Sequence, residues 1–153
     1  MRFSRRRSQR LALGLVCCIA GLLCVAATSP DVTIRDAWAR ATPPAAKFGA
    51  IYVTLTSATG DRLVGASVAR SIAARTQLHE TVMITDSLGE RMTMREVPSI
   101  TLAPGDSVRL GPGGLHIMLI GLKKPLRAGA RLPVTLSFEN AGRHKVMALV
   151  RDE

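Results

Sequence analysis

The chain is a succession of short segments in which apolar and polar residues alternate, each closed by glycine, proline or another turn-forming residue. Alternation with a period of two is typical of strands that bury one face. Residues 70–75 are the only stretch that favours a helix, and they do so weakly. We therefore predict an all-β fold, an antiparallel β-sandwich or barrel. The predicted strands are 32–39, 49–56, 63–68, 77–84, 90–97, 107–110, 115–122, 132–138 and 144–150.

One predicted strand carries unusual side chains. The run Leu115-His116-Ile117-Met118 follows a glycine-rich turn at residues 111–114. Because residues two apart in a strand point to the same side, His116 and Met118 share one face while Leu115 and Ile117 point into the core. An imidazole and a thioether are therefore predicted side by side.

A second His/Met pair lies upstream. His79 and Met94 flank a polar break at residues 85–89, which predicts a β-hairpin. An even number of residues, fourteen, separates the two, so they fall on the same face of the hairpin, directly opposite or diagonal. Four side chains, those of His79, Met94, His116 and Met118, are therefore predicted to converge.

This ligand set indicates a particular metal. Thioether sulfur is a neutral, polarizable donor that suits Cu(I), whereas zinc, magnesium, calcium and manganese sites use carboxylate, imidazole or thiolate. All three cysteines lie within residues 1–27, so the rest of the chain offers no thiolate. A site with two histidines and two methionines therefore predicts copper, mainly as Cu(I).

The same residues resemble the motif of the PCu(A)C family of periplasmic copper chaperones. Twenty-one residues separate Met94 from the His116-x-Met118 triplet, as in the family, and residues 116–126, 36–44 and 50–55 are similar to it too. The family has about ten residues between its first His and Met, whereas this chain has fourteen. Four additional residues at a hairpin tip preserve side-chain parity. Whether Met92 substitutes for Met94 stays open.

The resemblance implies a cupredoxin-like Greek-key β-sandwich that carries Cu(I). It implies that the metal ligands are His79, Met94, His116 and Met118. It also implies delivery of copper to the binuclear copper centre of cytochrome c oxidase, with the oxidase copper subunit and other copper-assembly proteins as partners.

The first 27 residues are predicted to be a secretory signal peptide. Five arginines without an acidic residue precede the apolar run 11–27, which ends in the small residues Ala26 and Ala27. Cleavage near Ala27 would leave one domain, residues 28–153, in the periplasm with no membrane span; an uncleaved N-terminal anchor is the alternative. Without those five arginines the net charge falls from +10 to +5. We therefore expect no nucleic-acid partner.

The chain lacks the residues that other classes of function require. The chain has no Ser-His-Asp spacing, no paired carboxylates near its histidines and no phosphate-binding glycine loop, so we predict that it is not an enzyme. A blue-copper electron carrier would need a cysteine thiolate. The remaining alternative is a metal-free β-sandwich that acts as an adhesion or interaction module.

The other candidate side chains receive structural interpretations. Met83, Met92 and Met147 are predicted to fill gaps in the core, although Met92 shares a face with Met94. His144 is predicted to be an exposed loop residue, and Trp38 a core or rim anchor. The basic loop with Lys123, Lys124 and Arg127 is either a solvated surface or a docking site for an acidic partner. These alternatives stay open in the sequence.

Overall fold

The computed structural model describes residues 31–87 and 89–152 and is built from strands, as predicted. The predicted signal peptide at 1–27 lies outside the described residues. Within the described residues, no helix is long and apolar enough to span a membrane. The strands are β1 (Val32–Arg40), β2 (Phe48–Ser57), β3 (Asp61–Ser67), β4 (Ala73–Asp86), β5 (Gly89–Glu96), β6 (Ile100–Leu102), β7 (Ser107–Leu110), β8 (Leu115–Leu122), β9 (Arg131–Phe138) and β10 (Arg143–Arg151).

Two local predictions differ from the structure. The short strand β6 has no predicted counterpart, because three residues are too few to establish an alternation. The weakly helical stretch at 70–75 forms a turn and then the start of β4 at Ala73. Pairing of β4 with β8 begins there, with Ala73 opposite Leu122, and outweighs the weak local preference.

The strands form one sheet in the order β5-β4-β8-β2-β1-β10-β9-β3-β6, and β7 also pairs with β2. Neighbouring strands are antiparallel except β1 and β10, which are parallel, with Trp38 opposite Leu149. A register shift interrupts β1 between Arg35 and Trp38, where Asp36 adopts a positive φ of 50°. The antiparallel prediction therefore holds with one exception, in the pairing of the first and last described strands.

Side chains from most of the strands pack together in a single hydrophobic core. The largest fully buried residues come from β2, β3, β6, β7, β8, β9 and β10, and include Ile51, Leu63, Ile117, Leu119 and Leu136. Ile117 is fully buried and Leu115 packs against the core, as predicted. The inner face of β8 is thereby fixed, which leaves His116 and Met118 on its other face.

The hairpin of β4 and β5 lies at one edge of the sheet, with β5 as the last strand. Its register pairs His79 with Glu96, Thr81 with Met94 and Met83 with Met92. The predicted hairpin and the shared face of His79 and Met94 are confirmed, and the two residues are diagonal neighbours rather than directly opposite. Among the described residues β5 pairs only with β4, and its side chains are more exposed than those of β4 and β8.

A buried carboxylate ties β3 to the turn before β10. One oxygen of Asp61 accepts hydrogen bonds from the backbone N–H groups of Arg62 (2.7 Å) and Asn140 (3.0 Å), and the other from Ala141 N–H (2.8 Å). Burial acts to raise the pKa of Asp61, but these bonds and one from the Asn140 side chain together lower it. The turn at residues 140–142 is thus anchored by a carboxylate distant in sequence.

Candidate metal centre

The pairing of β4 with β8 brings the two predicted histidine ligands together. His79 lies directly opposite His116, and their ring centroids are 5.8 Å apart. On the same face, Met118 lies two residues beyond His116 and opposite Gln77. His116 is 4% exposed, whereas His79 and Met118 are half-buried. Three of the four predicted ligands are therefore adjacent on two neighbouring strands.

Met94 approaches the same place from β5. It is opposite Thr81 on β4, and Thr81 N–H donates to the carbonyl of Gly114, just before β8 begins. Small residues therefore separate Met94 from β8. Met94, His116 and Met118 line one open cleft of about 280 Å³. Together with the position of His79 opposite His116, this brings all four predicted residues to one face of the sheet.

The hydrogen bond of His116 decides which of its nitrogens is free. Its Nδ1 is 3.0 Å from the carbonyl oxygen of Gly114. A carbonyl can only accept, so we assign the proton to Nδ1, and the lone pair of Nε2 is then free. A backbone carbonyl that holds the non-ligating nitrogen is the usual arrangement around metal-binding histidines.

His79 is oriented by a chain of two side chains. Its Nε2 is 3.1 Å from Oε1 of Gln77, and Nε2 of Gln77 donates to Oε2 of Glu96 at 2.8 Å. Because the Gln77 amide nitrogen faces the carboxylate, its oxygen faces the imidazole, and we assign the His79 proton to Nε2. The lone pair of Nδ1 is then free, and this buried atom has no hydrogen-bond partner.

The electrostatics keep His79 neutral. Burial lowers the pKa of His79 below its ordinary value of 6.5, proximity to His116 lowers it further, and the nearby Glu96 acts in the opposite direction. A neutral imidazole with an unpartnered, buried lone pair is the form that binds a metal ion. His79 can therefore present a neutral nitrogen donor at neutral pH without first losing a proton.

The rim of the cleft is largely apolar and aromatic. Phe48, Ala50 and Tyr52 of β2 line it together with Arg40 and the segment 41–43. Tyr52 packs against Trp38 with ring centroids 4.5 Å apart, and the Arg151 guanidinium lies 4.0 Å above the Trp38 ring. Trp38 is 6% exposed, so it anchors the rim as predicted and is not among the cleft-lining residues.

Several methionines and one histidine outside the four predicted ligands lie in surroundings that differ from those predicted. Met83, Met92 and Met147 are 59%, 62% and 52% exposed, so the prediction that they fill the core is wrong. All three side chains lie on exposed positions of their strands, and an alternating pattern cannot reveal which strand positions are exposed. His144 lies on β10, half-buried against Phe138, and not in an exposed loop. Its Nε2 is 3.1 Å from the Ala141 carbonyl.

The sequence interpretation missed Gln77 and Glu96. Each lies two residues from a predicted ligand, Gln77 before His79 and Glu96 after Met94, so the period of two already placed them on the site's face. Among residues 31–87 and 89–152, no group of three or more His, Cys, Asp or Glu side chains could hold a metal ion. The candidate site instead brings together two histidines and two methionines.

Sequence relatives identify the family. The family model described as "Putative lipoprotein LpqE-like" matches residues 32–150. "Putative lipoprotein Lxx21020" of Leifsonia xyli subsp. xyli is 36% identical over 149 residues, covering 93% of this chain and 85% of that protein.

Solved structures share the fold. The copper-bound PCuAC domain from PmoF2 is 26% identical, with a TM-score of 0.64 over 80% of this chain and 93% of that domain. The solution structure of Cu(I)-DR1885 from Deinococcus radiodurans is 31% identical, with a TM-score of 0.62 over 84% of each chain. The predicted cupredoxin-like fold and the resemblance to the PCu(A)C family are confirmed, and these relatives agree with the prediction that the chain is not an enzyme. The chain belongs to the LpqE-like family, and its fold is that of the PCuAC copper-binding domains.

Proposed function

We propose that this protein is an exported carrier of Cu(I) that binds the ion through His79, Met94, His116 and Met118. The observation that carries the proposal is the pair of facing imidazoles, 5.8 Å apart, on the same face as two thioethers. By our assignment, each imidazole holds a proton on one nitrogen and offers the lone pair of the other. Two nitrogen and two sulfur donors are thereby available to one ion.

The donor set supports Cu(I) rather than a harder ion. Imidazole and thioether bind a metal in their neutral forms, and thioethers are soft ligands that favour Cu(I). A monovalent ion also costs less to remove from water than a divalent one when no anionic ligand compensates its charge. The nearest carboxylate named in the site, Glu96, is bonded to Gln77 and supports His79. Copper-bound relatives of the same fold support the choice of metal.

The shape of the site suits a carrier. His116 is nearly buried, while Met94 is 58% exposed at the mouth of an open cleft. A partner can reach the ion from the Met94 side and replace that thioether first, while the two histidines still hold the metal. The exposed Phe48 on the rim, 57% accessible, offers an apolar contact for such a partner.

Export and delivery complete the proposal. Residues 1–27 have the composition of a signal peptide, and the sequence relatives are named as lipoproteins. Both observations support a periplasmic location for the exported protein. The PCu(A)C resemblance supports copper-assembly proteins and the binuclear copper centre of cytochrome c oxidase as partners. The exposed Lys123, Lys124 and Arg127 follow the site strand and provide a basic surface for an acidic recipient.

The test is an anaerobic titration of the purified exported protein with Cu(I) against a chromophoric competitor, followed by X-ray absorption spectroscopy. We expect one tightly held equivalent with mixed nitrogen and sulfur scattering. The double variant His116→Ala, Met118→Ala should lose this tight binding and retain its fold by circular dichroism.

A matched control is His144→Ala with Met147→Leu, which removes one histidine and one methionine from β10, away from the site. This variant should bind Cu(I) like the unmodified protein. Equal loss of binding in both double variants would mean that histidine and methionine bind copper nonspecifically. Absence of a tight equivalent in the unmodified protein would refute the carrier and leave a metal-free interaction module.

A further inference from the structure

The outer face of the β4–β5 hairpin carries a row of exposed methionines. Met83 and Met92 are directly opposite each other, and Met94 follows Met92 on the same face. The three side chains are 59%, 62% and 58% exposed. Hydrophobic residues in such positions are normally scattered singly, whereas these three thioethers are contiguous and lead toward the cleft that contains His116.

We propose that Met83 and Met92 form a second, outer site for a soft monovalent cation, Cu(I), with Met94 as a ligand that this site shares with the inner one. Directly opposed residues on antiparallel strands have Cβ atoms about 5 Å apart, and residues two apart on a strand are about 7 Å apart. Methionine has three rotatable side-chain bonds, so the sulfurs of all three can approach one ion.

The charges around the row favour a cation. On the same face of β5, Glu90 precedes Met92 and Glu96 follows Met94. The arginines of β5, Arg91 and Arg95, alternate with the methionines and so point to the other face, where they pair with Asp86 and Glu80. The methionine face of β5 therefore carries carboxylates, while its basic side chains are directed away and neutralised by partners.

The chemistry selects the ion. Thioethers without imidazole or thiolate bind Cu(I) and Ag(I) and have little affinity for zinc, magnesium or calcium. Since the three sulfurs are exposed and flexible, the outer site should bind more weakly than the inner site and exchange its ion faster. Loss of His116 and Met118 leaves the three outer sulfurs in place, so the outer site should still bind an ion when the inner site is lost.

The shared Met94 suggests what the outer site does, and this role depends on the proposed function. An ion held by Met83, Met92 and Met94 moves inward when its bonds to Met83 and Met92 break and bonds to the free nitrogens of His79 and His116 form. Met94 stays bound during the exchange, and copper remains Cu(I) throughout. The ion thus reaches the inner site without full release to water.

The test uses Ag(I), which like Cu(I) is a soft monovalent ion with a filled d shell, and which has no redox chemistry under these conditions. The exported protein is labelled with ¹³C at the methionine ε-methyl groups and titrated while the methyl resonances are followed by NMR. We expect the first equivalent to shift Met94 and Met118, and a second equivalent to shift Met83 and Met92. Met147, an equally exposed methionine on β10, is the internal control and should not move.

Two variants separate this inference from the proposed function. Met83→Leu with Met92→Leu preserves volume at two exposed positions, and should abolish the second equivalent while the first remains. His116→Ala with Met118→Ala should abolish the first and leave Met83 and Met92 responsive. The outer site is refuted if the methyl groups of Met83 and Met92 move no more than that of Met147, whatever happens at the inner site.

Discussion

The hydrogen bond from His79 to Gln77 offers the sharpest test of how the site is organised. Replacing Gln77 with Leu removes the oxygen that accepts the His79 Nε2 proton and breaks the connection to Glu96. The change alters no charge and puts an apolar side chain of similar size at a half-buried strand position. We expect Cu(I) to bind more weakly, because the tautomer with a free Nδ1 is then no longer favoured.

The structure allows the loss to be estimated. In Gln77→Leu the Nε2–H of His79 loses its acceptor, at a cost of about 1–3 kcal/mol, so hydrogen bonding no longer favours the tautomer that leaves Nδ1 free for the metal. Loss of the group that orients a ligating histidine typically lowers metal affinity about 10–100-fold, or about 1.4–2.7 kcal/mol. We therefore expect Gln77→Leu to raise the Cu(I) dissociation constant by that factor.

Two measurements on the same samples test this prediction. Competition titration with a chromophoric Cu(I) chelator gives the affinity, and two-bond ¹H–¹⁵N correlation NMR of the metal-free protein reports which nitrogen of His79 carries the proton. The control is Glu96→Gln, which retains an oxygen that can accept from Gln77 and should leave His79 protonated on Nε2. Chemical denaturation verifies that both variants are folded.

The proposed role of Gln77 is refuted if the folded Gln77→Leu variant keeps the proton on Nε2 of His79 and binds Cu(I) as tightly as the unmodified protein. An unchanged affinity with a changed tautomer would mean that His79 is not a copper ligand. The inner site would then consist of Met94, His116 and Met118.

Three further predictions concern pH, stability and processing. The pKa of His79 is lower in the folded than in the unfolded chain, so protonation of His79 favours the unfolded state. The free energy of unfolding should therefore fall as the pH drops below about 6.5. Denaturation series at several pH values should show a weaker pH dependence for His79→Gln. Asp61→Ala should cost about 3–5 kcal/mol in urea unfolding, because three backbone N–H groups lose a charged acceptor, yet leave Cu(I) affinity unchanged. Intact-mass spectrometry of the exported protein should give a chain that begins near Thr28, whereas a lipid-modified cysteine would contradict cleavage near Ala27.

Much of the inner site was accessible from local sequence. Alternation along β8 predicted that His116 and Met118 share a face opposite to Ile117, because side-chain direction in a strand depends only on the neighbouring residues. The even spacing between His79 and Met94 predicted their common face through the hairpin, since a short turn transmits register from one strand to the next. The extra length of this hairpin relative to the family motif did not disturb that parity.

Only the tertiary structure decided which strands meet. The pairing of β4 with β8, which sets His79 opposite His116, and the parallel pairing of β1 with β10 join distant parts of the chain and have no local signal. The pairing of β4 with β8 ends at Glu80, so Met83 and its partner Met92 lie where the hairpin extends past β8, and both are exposed where the pattern predicted core. An alternating sequence specifies that a strand has two faces, but the packing of the whole sheet decides whether the second face is covered. In this protein that packing determines which methionine and histidine side chains are accessible.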